Sequence, residues 1–215
     1  MPPRIDYRRC MGAGTCVSVC SAHVFDFIDD KGVVMRSVDC TECEECVRAC
    51  LQYAITLEHE RRGSPRVLVL YDSVSGRTAA LAKAIAEGVR QTECSVAVLE
   101  ASGEAMPEVL LADAVLLGSP SQFENVSEAI QGMLGGMRIT ALAGRPAGGF
   151  GTFGWELKGE DEIITRGLVD ARLATFDREL WVKDDEVEER RDEAVAFGRS
   201  FGEWAKGRLS GAGSA

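Results

Sequence analysis

Histidine is nearly missing from this 215-residue chain; only His23 and His59 are present. That excludes a histidine-rich metal centre. Basic residues are in deficit, 24 against 34 acidic, for a net charge of −10. Such a balance disfavours nucleic acid and anionic membrane surfaces and suits a carrier that meets basic partner surfaces. No apolar run reaches the ~18 residues of a membrane span. No basic-then-apolar leader opens the chain, so the expectation is a soluble, cytoplasmic protein. No G-x-G-x-x-G follows a strand and opens a helix, so no dinucleotide fingerprint is visible. Nothing in the chain pairs a nucleophile with an acid or base. Cysteine all but vanishes after residue 50: of eight, only Cys94 lies beyond, and it reads as a buried thiol in a strand.

The other seven cysteines are crowded into the first fifty residues. Cys40-Thr-Glu-Cys43-Glu-Glu-Cys46-Val-Arg-Ala-Cys50 spells C-x2-C-x2-C-x3-C. Two-residue gaps let a tight loop aim three sulfurs at one iron–sulfur cube, and the three-residue gap leads the fourth away. A structural zinc site would pair C-x2-C knuckles across a long spacer. Cys10-Met-Gly-Ala13-Gly-Thr-Cys16-Val-Ser-Val-Cys20 repeats the frame, with Ala13 in place of the second cysteine. Residues 4–57 are therefore an internal repeat. Short strands are expected at Arg4–Asp6 and Ile55–Leu57. Between them a hairpin is expected from Val24–Ile28 and Val33–Arg36, turning through Asp29–Gly32. Gly12 and Gly14 allow close backbone approach to a cluster. Glu42, Glu44 and Glu45 lie inside the cysteine loop, either as a solvated face or as a potential-lowering docking rim. His23 reads as a packing residue.

This half resembles the dicluster bacterial-type ferredoxins. The resemblance implies that the fourth cysteine of each motif serves the other cluster. Cys20, Cys40, Cys43 and Cys46 would hold a [4Fe–4S] cluster. Cys10, Cys16 and Cys50 would hold a [3Fe–4S] cluster, as in seven-iron ferredoxins; a [4Fe–4S] capped by water or an outside ligand, and an empty site, are the alternatives. Ser21 and Leu51 replace the proline usual after the fourth cysteine.

Glu58–Pro65 is polar and ends in Gly-Ser-Pro, a boundary by composition. The expected organisation is an iron–sulfur domain over 1–60, a linker over 61–65, a second domain over 66–209 and a frayed tail over 210–215. The texture beyond the linker alternates strands and helices. Strands are expected at Arg66–Tyr71, Cys94–Leu99, Ala114–Gly118, Ala147–Thr152 and Phe176–Val182. Helices are expected at Thr78–Val89, Pro107–Leu111, Val126–Leu134, Glu160–Leu173 and Glu186–Lys206, with Asp184 and Asp185 at the positive end of the last. Alternation of this kind gives a doubly wound α/β parallel sheet, and five strands permit the order 2-1-3-4-5 with a ligand crevice beyond strands 1 and 3.

Three loops fall at that crevice. Ser73-Val74-Ser75-Gly76-Arg77-Thr78 brings hydroxyls and a glycine to a helix start, converging donors for a phosphate, without the lysine of a Walker loop. It resembles the flavodoxin loop [TS]-x-[TS]-G-x-T. Gly118-Ser-Pro120-Ser121-Gln122-Phe123-Glu124-Asn125 is similar to the G-[ST]-P-T-[YI]-x-x-N loop of flavodoxin-like reductases. Gly151-Thr152-Phe153-Gly154-Trp155 resembles the G-[ST]-[YF]-G-W loop of flavodiiron flavodoxin domains. The resemblance spans residues 66–207 and implies FMN bound by these loops, with Phe153 and Trp155 stacking on the ring. Glu124 and Glu156 depart from the family pattern, and a carboxylate there would disfavour a negatively charged reduced flavin.

The whole reads as a ferredoxin–flavodoxin fusion: an α+β dicluster domain, then a flavodoxin-like domain, relaying electrons between clusters, FMN and redox protein partners. An FMN-dependent reductase of quinones or another small acceptor is the alternative, and a sensing module without flavin a third. The linker enters at the start of the first strand, ~20 Å from its far end at ~3.3 Å per residue, and the nine-residue connection reaches ~30 Å at most. Either the ferredoxin part folds back along the sheet or it serves the FMN of another chain, and the expectation is a head-to-tail homodimer with transfer in trans.

Overall fold

The computed structural model describes residues 3–57, 64–122, 125–140, 142–157 and 159–211. The chain divides into two compact units, Met1–Gly63 with Met106–Leu111, and Ser64–Ala105 with Ala112–Ala215.

In the first unit β1 (Pro3–Ile5) pairs antiparallel with β4 (Ile55–Leu57). Helices α1 (Thr15–Val19) and α2 (Glu45–Ala49) pack together. A hairpin joins β2 (Phe25–Ile28) to β3 (Lys31–Val34). The repeat has an offset of thirty residues, and the backbone obeys it. Gly12 and Gly14 have φ of +74° and +70°; their equivalents Glu42 and Glu44 have +55° and +68°. His23 and Tyr53, likewise related, have +51° and +47°. Two glutamates thus adopt the left-handed angles that glycine adopts without steric cost. The hairpin turn is shorter than expected. Asp29 and Asp30 alone make it, at φ of +48° and +57°, the two left-handed residues of a type I′ turn that matches strand twist. Lys31 and Gly32 belong to the strand instead. His23 is exposed rather than packed. The core is small, with Val24, Phe25, Val47, Ala54, Ile55 and Leu57 at its centre. Helix α4 (Met106–Leu111) completes this unit through contacts with α2 and β4.

The second unit is a parallel sheet in the order β6 (Ser95–Glu100), β5 (Arg66–Tyr71), β7 (Ala114–Gln122), β9 (Pro146–Phe153), and then a divided edge of β10 (Ala174–Thr175) and β11 (Leu180–Lys183). Counting the divided edge as one strand, this is the order 2-1-3-4-5. The fifth strand is broken because Phe176 turns into the core, where its ring meets Phe197, Phe201 and Trp204 at 5.1–5.8 Å. Strand β7 runs past the expected Gly118 to Gln122 and folds back as β8 (Asn125–Val126). Ser127 then caps α5 (Glu128–Arg138), accepting the Ile130 amide, so Val126 is not helical. Helix α6 (Glu160–Asp170) ends before Leu173, since Arg172 takes a left-handed φ of +60°. The final helix α7 (Arg191–Gly211) starts five residues late. Asp184 and Asp185 lie in a 3-10 turn, and Asp192 and Glu193 occupy the first helical turn. Ser210 and Gly211 remain helical; the rest of the expected tail, residues 58–63 of the expected boundary, Phe123 and Glu124 lie outside the described residues. Among the described residues no helix is long and apolar enough to cross a membrane.

Helix α3 (Arg77–Arg90) lies against α7 with glycine at the contact. A Cβ on Gly88 would stand 1.9 Å from the Val195 carbonyl oxygen, and one on Gly198 1.9 Å from that of Ile85. Each helix removes a side chain where the other's backbone passes. In an open helix Gly→Ala gains ~1 kcal/mol. Here the sign reverses. Gly198→Ala is expected to lower stability by about 1–3 kcal/mol through overpacking, read as a fall in the urea midpoint.

Candidate functional site

Seven thiols of the first unit gather around two cavities, and the repeat exchanges its ends between them. Cys40, Cys43 and Cys46 line one cavity together with Cys20 of the other motif. Cys10, Cys16 and Ala13 line the second together with Cys50. Ala13 stands in the lining of the second where Cys43 stands in the first. The thiols sort electrostatically in the same way. Burial pushes the Cys16 thiol up, and Cys10 and Cys50 add to this. Burial pushes Cys46 up to about 12, with Cys40, Cys43 and Cys20 contributing. Among the described residues no three or more His, Cys, Asp or Glu groups are placed to hold a single metal ion. A ring of thiols around a cavity fits a cluster, whose irons present separate corners, better than one zinc ion.

Helix and loop geometry set these positions. Cys16 and Cys46 are buried in α1 and α2, and Cys20 and Cys50 terminate those helices. The Val24 amide donates to Cys20 Sγ at 3.3 Å and the related Ala54 amide to Cys50 Sγ at 3.4 Å. Each cavity thus receives one amide-to-sulfur bond of this kind. Ala13 and its counterpart Cys43 are both exposed, so the missing thiol belongs to the most solvent-facing corner. Three residues at these sites carry functions not legible from their neighbours in sequence. Gly32 makes room for Cys16, as a Cβ there would be 2.6 Å from its sulfur. The Lys31 ammonium donates to the Cys10 carbonyl. Glu44, read as one of three acidic loop residues, is buried at 7% exposure, lines the first cavity and bonds Arg48 at 2.8 Å. Only the thirty-residue offset, which sets Glu44 against Gly14, could have signalled that it is special.

In the second unit the three loops meet because their strands are neighbours. Tyr71 pairs with Gly118, Ser119 with Gly151 and Pro120 with Thr152. Ser73, Val74, Ser75 and Gly76 form the loop after β5; Arg77 and Thr78 begin α3. Pro120, Ser121 and Gln122 end β7 within the strand, and Asn125 opens β8. Gly151, Thr152 and Phe153 end β9, followed by Gly154 and Trp155. Phe123 lies outside the described residues. Not all the hydroxyls point outward. Thr78 is buried and its hydroxyl meets that of Thr152 at 2.9 Å, while Ser73 Oγ accepts the Ala79 amide at 3.2 Å. Arg77 donates to the Asp184 carbonyl and ties the loop to the end of β11. Gly76, at φ +83°, caps α3 without a side chain, so that with the Ala79 amide held by Ser73 the Arg77 and Thr78 amides ahead of it face an anion site. Val74 and Trp155 are 77% and 96% exposed; these are apolar surfaces that a planar ligand would cover. Gly149–Gly154 does spell G-x-G-x-x-G, but it lies in β9 and the next helix begins at Glu160, so it is no dinucleotide turn. The donor set and the exposed rings fit a flavin mononucleotide.

Comparison with known proteins agrees with both halves. A 4Fe-4S dicluster domain family matches residues 2–59. The ferredoxin of Methanothermococcus thermolithotrophicus is 43% identical over 56 residues, which is 25% of this chain and 93% of that protein. The rubredoxin-oxygen oxidoreductase of Megalodesulfovibrio gigas is 28% identical over 130 residues, 59% of this chain. The match covers 31% of its length, so this chain spans about a third of that relative. A flavodoxin from the domain Archaea superposes with a TM-score of 0.61 at 21% identity, over 66% of this chain and 99% of that one, and shows the fold.

Gly32→Ala is expected to strip iron from the Cys10–Cys16–Cys50 cavity and leave the other loaded, read as iron per chain and as loss of one of two cluster signals by EPR.

Proposed function

The chain belongs to the ferredoxin family through its N-terminal part, and from that premise we propose an electron-transfer protein that relays electrons between iron–sulfur clusters and FMN. The observation that carries this reading is the exchange of cysteines between the two cavities, standing ahead of a flavodoxin fold with an uncapped phosphate-type loop. Clusters pass single electrons and a flavin exchanges one or two, so their union couples one- and two-electron partners.

Each residue has a role in that reading. Cys20, Cys40, Cys43 and Cys46 hold a [4Fe–4S] cluster. Cys10, Cys16 and Cys50 hold a [3Fe–4S] cluster, because Ala13 presents no ligand at the fourth corner. The amides from Gly76 to Thr78, with Ser75, hold the phosphate. Thr78 and Thr152, bonded to each other, fix the first and third loops at one separation. Phe153 and Trp155 cover the ring and keep water from it. Redox proteins are the partners. A head-to-tail pair of chains, each serving the other's flavin, is the arrangement proposed; sedimentation should then give a dimer, and a strict monomer with concentration-independent internal transfer would refute it.

Anaerobic purification followed by EPR, with iron and flavin assays, tests the core of this. The expected result is seven irons, one FMN and a near-isotropic signal in the oxidised state. Ala13→Cys should raise the count to eight and abolish that signal. No FMN on the chain, and none taken up, would overturn the relay. Trp155→Ala is expected to weaken FMN about tenfold, the worth of one ring contact, measured by quenching of flavin fluorescence.

A further inference from the structure

The two-fold relation between residues n and n+30 makes departures from it conspicuous. Backbone angles agree, the amide-to-sulfur bonds agree, and related cysteines line the two cavities. Charge does not agree. At the first motif, position 14 is glycine and position 18 is serine; at the second, the same positions are Glu44 and Arg48. Glu44 has taken a left-handed φ of +68°, a strain its glycine counterpart escapes. Glu44 is buried, lines the cavity of Cys20, Cys40, Cys43 and Cys46, and its carboxylate accepts from Arg48 Nη2 at 2.8 Å. Arg48 Nε reaches on to Glu108 of α4 at 3.0 Å. At the other motif a cation stands beside a cavity residue without a carboxylate counterpart to Glu44: Lys31 Nζ donates to the carbonyl of Cys10.

We propose that Glu44 and Lys31 are potential-setting residues, which hold the two clusters at unequal midpoints. The buried carboxylate disfavours an added electron at the four-cysteine cavity. The ammonium favours one at the three-cysteine cavity. The amide-to-sulfur bonds are matched and so add no difference to that set by cluster type, whereas charges of opposite sign near the two sites add one. An electron therefore runs downhill from the Cys40–Cys46 side to the Cys10–Cys16 side. This rests on the cluster assignment above.

The test is a potentiometric EPR titration of the intact chain, with iron assayed in every sample. Glu44→Gln should raise the midpoint of the four-cysteine cluster, with a change in its one-electron equilibrium constant of about tenfold, or ~59 mV, and leave the other in place. Glu44→Gly, which keeps the backbone angle, should do the same. Arg48→Gln should move that midpoint down, and Lys31→Gln should lower only the three-cysteine cluster. A purely structural role would broaden or lose signals without opposite shifts. Loaded clusters whose midpoints ignore Glu44→Gly would overturn the inference alone. A wild-type chain without a cluster at that cavity would overturn the assignment, and the inference with it.

Discussion

Everything in the first unit depends on bringing four sulfurs into one cavity without a large apolar core to pull them there. Cys46 is buried, and its thiol is pushed up to about 12, chiefly by that burial and further by Cys40, Cys43 and Cys20. Iron must displace protons from thiols that the fold keeps protonated, so loading releases protons and is coupled to their desolvation. A unit of some sixty residues hides too little surface to be secure without such a staple. The hairpin, the two one-turn helices and the β1–β4 pair are best seen as scaffolding that presents sulfur, with the clusters completing the interior.

The repeat explains how few residues this takes. Left-handed angles at 12, 14 and 23 return at 42, 44 and 53. One loop geometry has been used twice. Where the side chains follow the symmetry they build the cavities. Where they break it, at Ala13 against Cys43 and at Gly14 against Glu44, they give the cavities different chemistry. The second unit works on another rule: it lines up three adjacent strand ends, and its loops are functional because the sheet order makes them neighbours.

The division of the seven thiols was legible only through the resemblance to dicluster ferredoxins, and the two cavities group the thiols in the same way. Strand and helix alternation made the sheet order readable, since parallel connections have few solutions. What stayed hidden depends on which partner each side chain or turn residue finds, near or far along the chain. Phe176 leaves the edge strand for rings on α7. Glu44 is buried because Arg48, one turn on, receives it. Thr78 turns inward because Thr152 stands across from it. Asp29 and Asp30 tighten the hairpin by accepting left-handed angles, which aspartate tolerates better than most residues, so four apparent turn residues became two.

The glycine contact between α3 and α7 also sets an order of maturation. The helix that begins at the phosphate-type loop is covered by a helix starting more than a hundred residues later. During synthesis, at about 5–20 residues per second, the flavodoxin-like unit stays open on that face until Gly198 and Phe201 have left the ribosome. All seven cluster thiols emerge well before then. The cysteine-bearing half thus meets the cell in full while the strand-end loops of the second unit still lack the helix that covers α3.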